Sequence, residues 1–306
     1  MDAFEAIVLT VITASTPLLL AAIGELVVER SGVLNLGVEG MMVSGAVCGF
    51  IAGHASGSAS VGIVAAVAAG VAMAMVFAVL TQTLITNQVA TGLALTLFGL
   101  GLSGLAGESF TGLPGVKLAP IDIPGLSDLP VVGPILFGQD PIVYASFAIT
   151  AGVAWTLSRT RIGLIVRAVG DNHHSAHALG YNVVLVRYVC IAFGGACAGL
   201  AGAYLSLVYT PQWVENMTSG RGWIALALVV FSTWLPLRLA IGAYLFGSVW
   251  IMGLYTQGLG LGIPAQLLSA LPYLVTIVAL IVISGNRTLA KVNTPACIGQ
   301  PFVPDR

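Results

Sequence analysis

The sequence predicts an all-α, polytopic integral membrane protein of about nine transmembrane helices (eight to ten) with one short surface helix. Three observations carry that fold class. Of 306 residues, 58% are hydrophobic and only 8% are Asp, Glu, Lys or Arg, whereas a soluble domain carries about 25% charged residues. The mean hydropathy is +1.00. The apolar residues fall in runs near the length of about 20 that a helix needs to cross a bilayer. So few charges cannot cover a globule of this size in water, so lipid is the solvent. A secreted domain, a nucleic-acid binder and an ordinary cytosolic enzyme are excluded.

The first run follows Asp2 and Glu5, where a signal peptide would place Lys or Arg. It is also longer than a signal-peptide core, so it reads as a retained helix. The candidate spans are 6–27, 33–53, 61–85, 89–106, 141–158, 187–210, 222–235, 237–257 and 265–284. The whole chain, 1–306, forms one transmembrane domain. Gly195–Gly199 and Gly49–Gly53 have the spacing of close helix crossings, though 38 glycines make such spacing common. Residues 92–98 (GLALTLF) echo 225–231 (ALALVVF); a parallel repeat and chance likeness both remain open.

Basic residues concentrate on the cytoplasmic side of a membrane protein. Arg159, Arg161, Arg167 and Arg187 flank one polar stretch, Arg238 lies in another, and Arg287, Lys291 and Arg306 lie in the tail. These gather on one side if the C-terminus is cytoplasmic, and nine spans then place the acidic N-terminus outside. That divides the polar stretches into an external loop 107–140, rich in Pro114, Pro120, Pro124, Pro130 and Pro134, a cytoplasmic segment 159–186, and a cytoplasmic tail 285–306.

No catalytic chemistry assembles. There is no GxxxxGK[ST] loop to cradle ATP phosphates and no HExxH; Gly99–Gly104 fits GxGxxG but lies in an apolar span without a preceding strand. Cys48, Cys190, Cys197 and Cys297 lack CxxC spacing and read as small apolar residues, neither disulfides nor zinc ligands. Asn216-Met-Thr218 and Asn286-Arg-Thr288 fit a glycosylation sequon, a tripeptide common by chance. No catalytic residue, metal or cofactor is expected, and energy must come from another subunit or an ion gradient.

Four segments interrupt the apolar pattern. In 29–42, ERSGVLNLGVEGMM, Asn35 and Glu39 stand four apart and share a face if the stretch is helical. One reading is a broken helix lining a polar pathway. The other is a short cytoplasmic turn, with Glu25, Glu29 and Arg30 solvated at the lipid boundary. In 87–95, NQVATGLAL, the amides of Asn87 and Gln88 with Thr91 are either helix caps or hydrogen-bonding groups of a pathway. In 167–182, Asp171 or Asn172 caps a short helical run that Gly180 ends, giving a surface helix offered to a partner. His173 and His177 are spaced to share a metal but lack a third ligand, so they read as solvated. In 210–223, Trp213 and Trp223 read as interfacial aromatics beside Glu215 and Arg221.

In this order, ERSGVLNLGVEGMM, NQVATGLAL, RAVGDNHHSAHALGYNV (167–183) and SGRGWIALALVVF (219–231) resemble the permease subunits of bacterial ABC importers for branched-chain amino acids, ribose-type sugars and nucleosides. The likeness is strongest to the smaller permease of nucleoside systems. The resemblance implies that 167–182 is the coupling helix, with Arg167, Gly170, Asp171, Asn172, Ala176, Leu179 and Gly180 facing a cytoplasmic ATPase. It also implies a second, larger permease subunit, an extracytoplasmic substrate-binding protein, and a multi-pass location in the bacterial inner membrane. ATP hydrolysis then belongs to a separate subunit. His173-His174 stand where relatives place proline, which leaves the fine geometry of docking open. The solute reads as a nucleoside, with a sugar or a branched-chain amino acid as alternatives. Asn35, Glu39, Asn87, Gln88 and Thr91 are the pathway candidates. A rival class is a secondary transporter driven by protons through Glu25, Glu29 or Glu39; a membrane enzyme is a third.

Overall fold

A computed structural model describes residues 3–121, 124–125, 127, 132–258, 264–284 and 293–303. Pro130, Arg287, Lys291, Arg306 and the second sequon lie outside the described residues. The described elements are all helical: α1 (Ala3–Arg30), α2 (Val38–Ser56), α3 (Ala59–Ala78) with a wider turn at Val79–Thr83, α4 (Gln88–Gly107), α5 (Val132–Leu136), α6 (Pro141–Arg159), α7 (Arg161–Asp171), α8 (His173–Ala178), α9 (Val183–Tyr204), α10 (Arg221–Phe231), α11 (Pro236–Gly258) and α12 (Ala265–Ser284).

Among the described residues, seven helices are long and apolar enough to cross a membrane by length and composition. The expected span 222–235 is instead α10, 11 residues long. At about 1.5 Å per residue it reaches only about half of a hydrocarbon core about 30 Å thick. The expected 33–53 also shortens, because helix α2 begins only at Val38.

The helices pack around α1, α2 and α9, whose inner faces lack large side chains at their crossings. A Cβ on Gly70 would run into the Gly195 carbonyl, and one on Gly45 would lie 2.6 Å from Gly199 Cα. Gly195 and Gly199 are therefore contact points of α9 with α3 and α2, where backbones approach closely in place of side-chain interdigitation. Leu19, Leu20, Ile23, Leu26, Met41, Met42 and Phe77 fill the remaining core. Cys190 and Cys197 are buried, Cys48 and Cys297 partly so, and all four are free.

The described part of loop 107–140 is tied to the chain around Pro211. Gly115 N donates to Pro211 O and Leu118 N to Leu207 O, each at 3.0 Å. Trp213 is 1% exposed, against Phe50 and Val47, so it is a core residue. It is not the interfacial residue its type suggested, whereas Trp223 is 36% exposed.

A broken membrane segment and a surface helix

Between α1 and α2 the chain leaves the helix but stays buried: Ser31, Val33 and Asn35 are fully buried. Gly32 makes the break possible at φ 85°, a conformation costly for residues with a Cβ. Buried peptide groups need partners, and side chains supply them. Leu34 N donates to Gln88 Oε1 at 2.8 Å, Asn35 N to Glu25 Oε1 at 3.1 Å, and Thr96 Oγ1 to Leu36 O at 2.9 Å. The Asn35 carboxamide turns back to accept from Gly37 N at 2.9 Å. Asn35 thus lies outside the helix that holds Glu39, and the two do not share a helical face. The stretch is a buried, non-helical connection between two helices that are each long and apolar enough to cross a membrane.

Glu25, Glu29 and Arg30 are likewise inside: the glutamates are 1% exposed and Arg30 9%. The solvated-boundary reading is therefore corrected. Glu29 Oε2 accepts from Trp234 Nε1 at 2.6 Å. Arg30 donates to Trp234 O at 2.9 Å and to Asn293 O at 2.9 Å. The cause is α10, which stops short and brings Trp234 against the end of α1. Sequence periodicity gives no hint of that.

Glu39 performs a different task. Its Oε1 accepts from Thr218 Oγ1 at 2.6 Å and Gly220 N at 2.8 Å, and its Oε2 accepts from Gly222 N at 2.6 Å. These donors stand at the first turn of α10. The carboxylate caps from outside a helix start that has no side-chain cap of its own, where negative charge and the helix dipole attract. Arg221 at the same turn rests over the rings of Tyr209 and Trp250, 5.4 and 5.1 Å from their centroids, which satisfies a cation at an otherwise unfavourable helix end.

The NQVAT segment opens α4. Asn87 is exposed and its Oδ1 accepts from Ala90 N at 3.0 Å, a helix cap. Thr91 Oγ1 meets Thr86 Oγ1 at 2.9 Å on the exposed side. Gln88 points inward, with its Oε1 on Leu34 and its Nε2 buried without a partner; the second oxygen of Glu25 is also buried and unpartnered. One unused donor and one unused acceptor thus flank consecutive residues of the broken segment.

At the arginine-bearing end, Asn172 supplies the expected cap: its Oδ1 accepts from Ser175 N at 2.9 Å. The helix is α8, and Gly180 ends it at φ 90°. Ala176 faces inward beside Val169, Val183 and Phe302, while Asp171, Asn172, Ser175, Gly180 and above all Leu179, 77% exposed, face outward. Gly170 is packed so tightly that a Cβ would meet the Arg30 carbonyl. Arg167 lines a cavity of about 390 Å³ with Arg30, Asp171 and Trp234.

His173 is 2% exposed, so it is not a solvated surface histidine. Arg187 Nη2 lies 3.2 Å from its Nδ1; since arginine only donates, Nδ1 is the acceptor. Burial, then the Arg187 and His174 charges, push the His173 imidazole down to about 4. Among the described residues, no group of three metal-ligating side chains is close enough to hold a metal.

Arg187 was read from sequence only as a flanking charge. It is fully buried and also donates to Ser31 O at 3.3 Å, Gln82 Oε1 at 3.3 Å and Gln300 O at 3.1 Å. An arginine at the fifth position of an apolar helix was itself a signal, because such a charge within a membrane needs a partner network. It joins the broken segment, the end of α3, α8 and the tail.

Residues 7–280 match the family described as branched-chain amino acid transport system / permease component. The chain belongs to that family. It is 41% identical to a putative glucose ABC transporter permease protein, TsgC13, of Haloferax volcanii, over 95% of each chain. It is 30% identical to the guanosine ABC transporter permease protein NupQ of Bacillus subtilis, over 94% of this chain and 93% of that one. The nucleoside ABC transporter permease protein NupC of Lactococcus lactis is 28% identical over 96% of each. No solved structure matches the chain. The chain is thus a multi-pass ABC transporter permease.

Proposed function

We propose that this permease passes a neutral, hydroxyl-rich solute, a nucleoside first and a sugar second, inward across the plasma membrane in an ATP-driven importer. The observation that carries the pathway is the broken segment 31–37. Non-helical backbone at membrane depth is tolerated where it is buried in protein or lines a cavity, and here its flanks keep an unused amide donor on Gln88 and an unused acceptor on Glu25. Asn35, Gln88 and Thr91 border the route, Asn87 caps α4 at its edge, and Glu39 holds α10 beside it. A neutral solute needs such amide and hydroxyl partners, and no basic side chain is required.

The arginine-bearing end is the cytoplasmic side, with the C-terminus there. The outward face of α8, with Leu179 as its apolar knob and Asp171, Asn172 and Gly180 beside it, docks a separate ABC ATPase next to Arg167. Gly170 and Ala176, which the resemblance also assigned to docking, are buried and seat the helix from behind. ATP-driven closure of the ATPase moves α8, and the route opens to one side and then the other. A second permease subunit covers the exposed face of α4 (Leu93, Leu97, Phe98 and Leu102), and an external binding protein delivers the solute. The sugar reading is supported by the name of the 41% relative, the nucleoside reading by the names of the two nearer 30%.

The test is uptake of labelled adenosine, guanosine, glucose, ribose and leucine into cells bearing the complete transporter. Wild type is compared with a chain whose residues Asp171–Gly180 are replaced by a Gly/Ser linker, at equal membrane level. Uptake of one solute class that vanishes with the linker supports the importer. Uptake that survives the linker but dies with an uncoupler replaces it with a proton-driven carrier.

A further inference from the structure

The described part of the tail, 293–303, is bound to the rest of the protein by backbone and ring contacts. Cys297 N donates to Gly170 O at 2.9 Å, and Gly299 N donates to Gly32 O at 3.1 Å. Asn293 O and Gln300 O accept from Arg30 and Arg187. Cys297 Sγ lies 3.5 Å from Asp171 O. Phe302, 5% exposed, ends the run in a cage of three imidazoles, with ring centroids 5.2 Å from His173, 5.8 Å from His174 and 5.4 Å from His177. The tail therefore touches three places in turn: the glycine of the helix break, the end of α7, and the inner side of α8.

These contacts add to the packing of Ala176 against Val169 and Val183, the one buried apolar side chain that α8 itself brings to the core. This helix has six residues, too few to be a stable helix alone, and most of its side chains face outward. Its inner side meets Arg187 through His173, and Phe302 through its three histidines. Arg187 in turn reaches both Ser31 and Gln300. A displacement of α8 therefore reaches the broken segment along two routes. One runs through Phe302 and the tail to Gly32, the other through His173 and Arg187 to Ser31, and Gln300 ties the second to the tail.

We infer that the C-terminal tail is a strap that fixes the coupling helix to the break at Gly32, with Phe302 as the positioning residue that makes the two move together. The inference rests on the reading of α8 as the ATPase-docking helix. Phe302 touches neither solute nor nucleotide. It acts by denying α8 the freedom to rock alone, so that ATPase closure is converted into movement at 31–37. Aromatic edge-to-face contact gives such a joint a defined geometry, which a smaller side chain would lose.

The experiment uses the complete transporter, with its ATPase, second permease and binding protein, reconstituted in liposomes. Labelled adenosine and labelled glucose are supplied in parallel. Two quantities are read: solute moved per ATP hydrolysed, and amide hydrogen exchange over Ser175–Leu179. Phe302→Ala is expected to lower transport per ATP at least about threefold and to speed that exchange at least about tenfold, with subunit composition unchanged. Phe302→Tyr restores both to within about twofold. If Phe302→Ala reduces the amount of assembled transporter, Phe302→Leu is read by the same criteria. A folded variant with wild-type transport per ATP overturns the strap. The Gly/Ser replacement of Asp171–Gly180 separates the two levels: if transport survives it, the docking reading fails and the strap with it. If it abolishes transport while Phe302→Ala does nothing, the strap alone fails.

Discussion

At two places where the chain leaves its helices a buried glutamate meets the free backbone, and each glutamate does so differently. Before α10, Glu39 accepts three hydrogen bonds and both of its oxygens are used. Between α1 and α2, Glu25 and Gln88 each use one atom on the broken backbone and leave the other unpartnered. A saturated group in a low-dielectric interior is a fixed joint, since opening it exposes every partner at once. A half-used group can exchange partners, which is what a route for a polar solute needs. Two buried glutamates of one chain thus differ in how many bonds they already make, and on the proposed pathway the saturated one is a latch and the half-used one a lining.

Breaking the latch should have the largest effect. Glu39→Ala orphans Thr218 Oγ1, Gly220 N and Gly222 N, at about 1–3 kcal/mol for each buried group. The protein in detergent should lose several kcal/mol of stability and most of its uptake, as measured by thermal unfolding and transport. Glu39→Gln, which keeps one acceptor oxygen, should fall between. If Glu39→Ala unfolds like wild type, the comparison collapses.

The lining should behave in the opposite way. Gln88→Leu loses the acceptor for Leu34 N, about 1–3 kcal/mol, yet should cut uptake about tenfold or more at a membrane level near wild type. Equal losses of amount and uptake would make Gln88 another latch.

Much of this was legible in the sequence, for reasons that differ by residue. The membrane helices follow from composition and run length. The cap at Asn172 and the stop at Gly180 follow from local turn chemistry, which depends only on neighbours. The acidic interruption at 29–42 was visible, but its roles were not: Glu39's partners lie about 180 residues away, and Trp234 reaches Glu29 across a similar separation. Such contacts leave no trace in periodicity. The short α10 was merged with residues that follow it because Ser232–Leu235 is apolar enough to extend a hydrophobic run. Phe302 sits in a tail without pattern, and only the fold shows its histidine cage.

A smaller effect concerns pH. His173 is held neutral, with its imidazole pushed down to about 4 against an ordinary value near 6.5. The folded state then binds fewer protons than the unfolded one between those values, so the contribution is complete above about 6.5 and is lost as pH falls toward about 4. The α8–tail joint should loosen over that window, read as faster amide exchange at Ser175–Leu179 at pH 5 than at pH 7 after correction for intrinsic rates. His173→Asn should flatten that part of the profile. The smallest effect is expected from Asn87→Ala, where removal of an exposed cap costs about 1 kcal/mol; uptake should stay within about twofold. A tenfold loss there would move Asn87 from cap to solute contact.

The most direct test of the broken segment as the solute route is labelling of Gln88→Cys, with the native cysteines replaced by alanine, by a membrane-impermeant maleimide in the complete transporter. The account predicts slow labelling at rest, because Gln88 is 4% exposed, faster labelling during ATP turnover, and slowing by saturating transported solute. Labelling that is indifferent to both ATP and solute would contradict it.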